Sequence, residues 1–290
     1  MSSRPILVLG ESGMLGSAVA KSLRDHGLQV FGTSRLGVRT FDFEKDSLEA
    51  LVSDGMERKF DYVINCIGLT KTHIKDGEAN SVAKAINLNC NLPLALQTAA
   101  VTYGFRVIQV ATDCVFSGRK GDYVESDPHD ATDVYGKTKS LGEIISNEFM
   151  ILRCSLIGPE ASRKSLFFEW VNSLPMGSKV PGFVNHQWNG LTSAAFGDIV
   201  SGIITQKSFT PGVQHLVPLN SLSKYELVQL VARRLSRMDL TVVPVEDEVA
   251  IDRTLDTLSP SANLMHFQNG GFGTTPDVRE IVATMPIGRK

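Results

Sequence analysis

Residues 6–16 read Ile6-Leu7-Val8-Leu9-Gly10-Glu11-Ser12-Gly13-Met14-Leu15-Gly16. An aliphatic run ends in a glycine, and two more glycines follow at three-residue spacing. From Met14 the apolar residues Leu15, Val19 and Leu23 fall at i, i+4 and i+8, the face of a helix reaching His26. A strand that enters a helix through G-x-x-G-x-x-G is suited to cradle a pyrophosphate. The first glycine permits a tight turn, the second lets backbone N–H groups approach phosphate oxygens, and the third lets the helix pack on the strand. Gly10, Ser12, Gly13, Met14, Leu15 and Gly16 are therefore the candidate dinucleotide-binding loop.

The chain around this loop keeps alternating. Strand-like runs at 5–9, 28–32, 62–67, 105–111 and 149–154 are separated by helical patterns at 14–26, 46–52, 81–103 and 134–146. Pro93 lies inside the third of these helices and predicts a break or kink there. Such a β-α-β-α series predicts an α/β fold, a Rossmann-like doubly wound parallel sheet with helices on both faces. After residue 158 the pattern loosens. Helical stretches are expected at 164–174 and 193–206 and a strand at 212–217, and Ser223-Lys224-Tyr225-Glu226 fits a capping box opening a helix to about Leu235. The expected organisation is an NADP-binding Rossmann domain at 1–157 and a smaller C-terminal α/β substrate-binding lobe at 158–290, with some helices returning to the first domain.

Composition narrows the function classes. The 290 residues are 42% apolar and 21% charged, enough for a sizeable core and against wholesale disorder. A net charge of −2 argues against a dedicated nucleic-acid binder. No apolar run approaches the ~20 residues of a membrane span, and no secretory h-region follows Met1, so no membrane partner and a cytoplasmic setting are expected. The cysteines Cys66, Cys90, Cys114 and Cys154 form no C-x-x-C pair, which disfavours a disulfide scaffold or a zinc ribbon; no metal is expected.

The end of the second strand bears on the cofactor. An Asp or Glu about 20 residues past the loop would bind the ribose 2′-OH of NAD. Here the chain reads Thr33-Ser34-Arg35. Hydroxyls followed by a guanidinium suit a 2′-phosphate, so NADP(H) is expected, with NAD(H) as the alternative. Further on, Tyr135-Gly136-Lys137-Thr138-Lys139 puts Tyr135 and Lys139 on one helix face. The ammonium is expected to lower the phenol pKa from about 10 and make it a better proton donor. Thr112 ends the strand at 105–111, at the edge where parallel sheets bind ligands, and its hydroxyl can hold the carbonyl oxygen that Tyr135 protonates.

Together these motifs resemble the extended short-chain dehydrogenase/reductases and, more narrowly, the dTDP-4-dehydrorhamnose reductase family. The resemblance is carried by Ile6–Gly16, Val63-Ile64-Asn65-Cys66, Leu88-Asn89 before Pro93, Val110–Phe116, Val134–Glu143, Leu152-Arg153-Cys154-Ser155, Gln187–Thr192, His215-Leu216 and Tyr225-Glu226. It implies a catalytic triad of Thr112, Tyr135 and Lys139, with Lys139 also touching the nicotinamide ribose. It implies that Asn65, Cys66, Gly68 and Ala111 line the cofactor path, with Asp42 and Phe43 near the adenine. Lys71 to His73, Asp113, Cys114, Trp188 and Asn189 would face the sugar nucleotide. Two departures fall beside the sugar: Cys114 stands where the family usually has an aromatic, and Leu156 where it usually has Trp. The related 4,6-dehydratases resemble Thr-Asp-Glu at 112–114; the glutamate is missing here, which favours reduction over water elimination. The resemblance thus implies an NADPH-dependent reductase of a nucleotide-linked 4-keto-6-deoxysugar in polysaccharide biosynthesis, dimeric at family level. The alternatives are a nucleotide-sugar epimerase that regenerates its cofactor and a non-catalytic NADP-binding regulatory subunit.

Overall fold

The structure, a computed structural model, describes residues 4–35, 39–53, 60–160 and 167–287. Its first half contributes β1 (Ile6–Leu9), α1 (Met14–Asp25), β2 (Val30–Thr33), α2 (Leu48–Ser53), β3 (Tyr62–Asn65), α3 (Ala79–Ile86), α4 (Leu92–Tyr103), β4 (Arg106–Ala111), α5 (Val134–Leu141) and β5 (Phe149–Arg153). All five strands join one parallel sheet, as the alternation predicts. β1, β3 and β5 are buried at every position, which is why they read as continuous apolar runs: helices cover the sheet on both faces. On one face Leu15, Val19 and Leu23 of α1 meet Ile6 and Val8; on the other Leu92 and Leu96 of α4 meet Leu7, Leu9 and Val63.

The expected break at Pro93 takes a different form. Helical turns run on from Ala79 to Tyr103, and one π-helical turn, Asn87–Asn91, lies just upstream of the proline. A proline lacks the N–H for the ordinary bond and crowds the carbonyl four residues back; the wider turn relieves both. α5 ends at Leu141, short of the expected Ser146.

The later residues form β6 (Leu156–Ile157), α6 (Phe167–Ser173), β7 (Lys179–Phe183), β8 (His186–Trp188), β9 (Leu191–Thr192), α7 (Ser193–Thr205), β10 (Gly212–His215), β11 (Leu222–Ser223), α8 (Lys224–Arg234), β12 (Thr241–Val245), β13 (Ile251–Asp252), α9 (Pro260–Asn269) and α10 (Val278–Ala283). β7 pairs with β12, and β8 lies between β11 and β13. These small sheets pack with α6, α8 and α10 around Phe168, Trp188, Leu227, Val231 and Val282, a second core. The predicted capping box is present: Ser223 and Glu226 cap each other at the start of α8. Several of the later elements return to the first core, α9 among them through Phe267. α7 packs on it through Phe196 and Ile199, and β10 extends the main sheet beside β5. The full sheet order is β10-β5-β4-β3-β1-β2. The winding reverses at β1, which opens a crevice above the carboxyl ends of β1 and β3.

Candidate active site

The crevice is built by the glycine loop. Gly10 takes a φ of +80°, and a side chain on Gly16 would stand 2.2 Å from the Gly10 carbonyl oxygen, so α1 starts directly against the turn. Gly13 opens α1 with no side-chain cap, and no acidic residue sits in the first turn. Its free N–H groups and the positive end of the helix dipole therefore lie at the loop mouth, where Ser12 and Gly13 are exposed. Leu15 points into the core, so only its backbone can serve a ligand. At the end of β2, Thr33 Oγ1 is buried without a hydrogen-bond partner, Ser34 bridges to Thr40, and Arg35 is exposed. Phe41 returns its N–H to the Ser34 carbonyl, which places the Asp42–Phe43 turn beside this strand end. An uncapped helix start, a turn too tight for side chains and an orphaned hydroxyl all fit a dinucleotide. Its pyrophosphate would lie on Gly10–Gly16 and its adenosine end at Thr33–Arg35.

On the β3 side, Asn65 is fully engaged within the protein. Its Oδ1 accepts from the Ile67 N–H at 3.1 Å and its Nδ2 donates to Gln109 Oε1 at 2.9 Å, so it shapes the crevice floor. The Cys66 N–H donates to the Leu9 carbonyl, and burial pushes its thiol up to about 12. Gly68 lies against the Asn89 side chain.

The chemical groups converge at the end of β4, just past the buried Ala111. Thr112 Oγ1 donates to Asp113 Oδ1 at 3.1 Å and accepts from the Cys114 N–H at 3.2 Å, and it stands next to the Tyr135 hydroxyl, whose pKa it works to lower. α5 delivers that tyrosine. A side chain on Gly136 would lie 2.3 Å from the Cys114 carbonyl oxygen, so a glycine is needed for α5 to come this close to the Thr112 turn. Asp133 caps α5 through the Gly136 N–H at 2.8 Å, and Lys71 holds Asp133 at 2.7 Å. Lys71, expected to face the sugar, is thus tied to the start of the tyrosine helix.

Lys139 lies one turn beyond Tyr135, and its Nζ donates to the Val110 carbonyl at 2.8 Å. The expected electrostatic effect on the phenol is reversed. Burial pushes the Tyr135 hydroxyl above its ordinary value and pushes the Lys139 ammonium down to about 8. Tyr135 therefore keeps its proton throughout the neutral range, as a proton donor must. Lys139 carries the titration. With its ammonium required, kcat/KM of the free enzyme should fall as pH rises through about 8. Stability should move the other way, because an unfolded lysine keeps its proton to about 10.5 and so binds more protons than the folded one between those values. A pH–rate profile with parallel melting curves checks this; a rate flat to pH 10 would count against it.

Sequence reading gave Asn89 only as part of a family-like stretch, with no role. It lies buried in the π-helical turn, accepts from the Leu69 N–H at 2.8 Å, and donates to the Leu69 carbonyl and to Thr138 Oγ1. It fastens the loop after β3 to α5. A polar residue on a buried helix face shortly before Pro93 was the available signal. Trp188 is buried, and its Nε1 donates to Ser155 Oγ at 2.8 Å. Asn189 uses both ends of its amide on the Leu255 backbone, at 2.7 and 3.0 Å, and clamps a loop. Burial pushes the Cys114 thiol up to about 12, so it remains a thiol beside Tyr135.

The sequence profile of the RmlD substrate binding domain family matches residues 4–253. The chain belongs to that family. Among curated relatives, this RmlD-family chain is 30% identical over 192 residues to the probable low-salt glycan biosynthesis reductase Agl14 of Haloferax volcanii, covering 61% of this chain and 63% of the relative. It is 30% identical over 210 residues to the dTDP-4-dehydrorhamnose reductase of Aggregatibacter actinomycetemcomitans, covering 69% and 66%. The match thus spans about two thirds of these relatives' length. In three dimensions it superposes on the dTDP-4-dehydrorhamnose reductase of Bacillus anthracis, a complex with NADP, with a TM-score of 0.76 over 98% of both chains at 18% identity. The RmlD-family chain shares that Rossmann-like fold.

Proposed function

We propose that this chain reduces the keto group of a nucleotide-linked sugar with NADPH, a 4-keto-6-deoxysugar being the first candidate. The observation that carries this reading is Thr112 at the carboxyl end of β4, brought next to the Tyr135 hydroxyl beside the glycine-loop crevice. Residues 1–157 would hold the cofactor and 158–290 the sugar nucleotide. The relatives named as reductases and the NADP-bound neighbour support the same assignment.

A nicotinamide dinucleotide on the Gly10–Gly16 loop would supply the hydride. The protein supplies the rest. Thr112 fixes the ketone oxygen by a hydrogen bond. Tyr135 gives its hydroxyl proton to that oxygen as negative charge develops on it, so that C=O becomes CH–OH. Lys139, held on Val110, keeps positive charge beneath the tyrosine and stands ready for the cofactor ribose. Arg35 and the Ser34 hydroxyl are the groups placed for a 2′-phosphate, which is why NADPH is preferred over NADH in this reading. A purely regulatory, cofactor-binding role needs no proton donor, so the meeting of Thr112 and Tyr135 favours turnover.

The test is a screen of purified protein and NADPH against nucleotide-linked 4-keto-6-deoxysugars. The expected result is one NADPH oxidised per alcohol formed, with slower turnover on NADH. An isomerised product with no net oxidation would replace the reductase with an epimerase. Cofactor binding without turnover of any sugar would favour the regulatory subunit.

A further inference from the structure

Lys224 is the first residue of α8, but it takes no part in the capping box formed by its neighbours. Its ammonium stands over two aromatic rings, 5.6 Å from the centroid of Trp188 and 5.7 Å from that of Phe167. Among the described residues no group accepts a hydrogen bond from it. The ionisable groups that act on its charge are Asp113 and Cys114, which directly follow Thr112, and Arg253. Arg253 is itself fixed by Nε donating to the Phe116 carbonyl at 2.9 Å. Asp113 is buried and already accepts from Thr112. Asp113 and Cys114 also act on Tyr135, so Lys224 and Tyr135 are coupled through the same turn after β4.

Arg253 also faces the Asp133 carboxylate, whereas the one carboxylate near Lys224 is Asp113, which is already hydrogen-bonded. Ring faces return part of the hydration an ammonium loses, by cation–π attraction. They offer no acceptor lone pairs for its three N–H donors. Lys224 is half-buried, so its remaining open side is available to a ligand.

We propose that Lys224, with Arg253 beside it, is an anion-binding position of the sugar pocket. It would take an oxygen of a carboxylate on the sugar or of the diphosphate joining sugar to nucleoside. The inference rests on the nucleotide-sugar reading and adds an anionic group at a stated place in it. Neither the glycine loop nor the Tyr135 motif points to it, and nothing in the local sequence marks Lys224 as more than an exposed residue at a helix start.

The experiment is titration calorimetry of wild type, Lys224→Met and Lys224→Arg with UDP-glucuronate, UDP-glucose, UDP and dTDP. A charge-assisted hydrogen bond lost from a partly dry site should weaken binding about 10-fold or more. Lys224→Met should show that loss, Lys224→Arg should stay within about threefold of wild type, and Lys224→Met should melt no lower than wild type because it removes a partly desolvated charge. Loss confined to UDP-glucuronate assigns the site to a sugar carboxylate. Loss across all ligands that bind, free nucleoside diphosphates included, assigns it to the diphosphate. Equal affinity of Lys224→Met and wild type overturns the inference and leaves the nucleotide-sugar reading standing. Failure of wild type to bind any of the four overturns both.

Discussion

Tyr135→Phe should lower turnover by about two to four orders of magnitude while leaving affinity for the cofactor within a few-fold. The substitution removes one oxygen and keeps the ring that α5 packs beside Thr112. The proton then has no donor, because the neighbouring groups cannot replace it. Cys114 and Cys66 are held as thiols with pKa near 12, Asp113 is an acceptor for Thr112, and Lys139 is turned to the Val110 carbonyl. Thr112→Val should cost less, because it removes a hydrogen bond to the reacting oxygen and leaves the donor in place. Steady-state kinetics with cofactor affinity measured separately by fluorescence decide the matter. Retained activity in Tyr135→Phe would falsify the assignment of the proton donor. An equal loss of cofactor affinity would show that the tyrosine acts in binding.

Arg153→Met should destabilise the fold by about 3–5 kcal/mol, the range for breaking a buried ion pair from one side. Arg153 is 1% exposed at the end of β5. Its Nε and Nη2 donate to the Glu143 carboxylate at 3.2 and 2.6 Å. Nη1 meets His215 Nε2 at 2.5 Å, Nη2 meets His129 Nε2 at 2.9 Å, and the guanidinium lies 5.1 Å above the Phe116 ring. Both histidines accept from an arginine, which fixes their tautomer: each carries its proton on Nδ1, toward the Asp256 carbonyl and Ser140 Oγ respectively. Burial and the guanidinium hold both neutral by lowering their pKa. Removing Arg153 strands the buried Glu143 carboxylate and leaves two imidazole nitrogens without donors. The Arg153→Met/Glu143→Gln double variant should regain part of the loss, since it removes the stranded charge. Urea midpoints of the two variants and wild type test this; a midpoint unchanged in Arg153→Met would exclude the network as a source of stability. The network joins β5, β10 and the loop after the Thr112 turn, so its loss should loosen the sheet edge at β10.

The two variants differ in how visible their residues were. Tyr135 stands out because a helix places residues four apart on one face, so Y-x-x-x-K is a local pattern. Arg153 and His215 were legible only as stretches that match a family. The two meet through strand pairing across 62 residues of chain, and no local period encodes that. The same division holds for the fold. β1, α1 and the glycine loop follow from the run 6–16, because apolar strands, amphipathic helices and tight glycine turns each leave a short-range signature. α9 left only a weak one: Leu264 and Phe267 are a single apolar pair at i, i+3, and its buried face is completed by the polar Asn263 and His266.

By itself the sequence determined a parallel α/β sheet with a tight glycine loop at its first turn, and it named a threonine, a tyrosine and a lysine as candidates for carbonyl chemistry. These are properties of neighbouring residues and of periods of two and 3.6. Tertiary structure decided what each group can do. It raised the Tyr135 pKa where sequence reasoning expected a fall, because burial outweighs an ammonium that is turned to Val110. It drew Lys71 and Asn189 into structural bonds and set Lys224 over the Trp188 and Phe167 rings, within the field of Asp113 and Cys114. Desolvation, and the meeting of groups far apart in the chain, exist only once the chain has folded; both therefore lie beyond any reading of residues in a row.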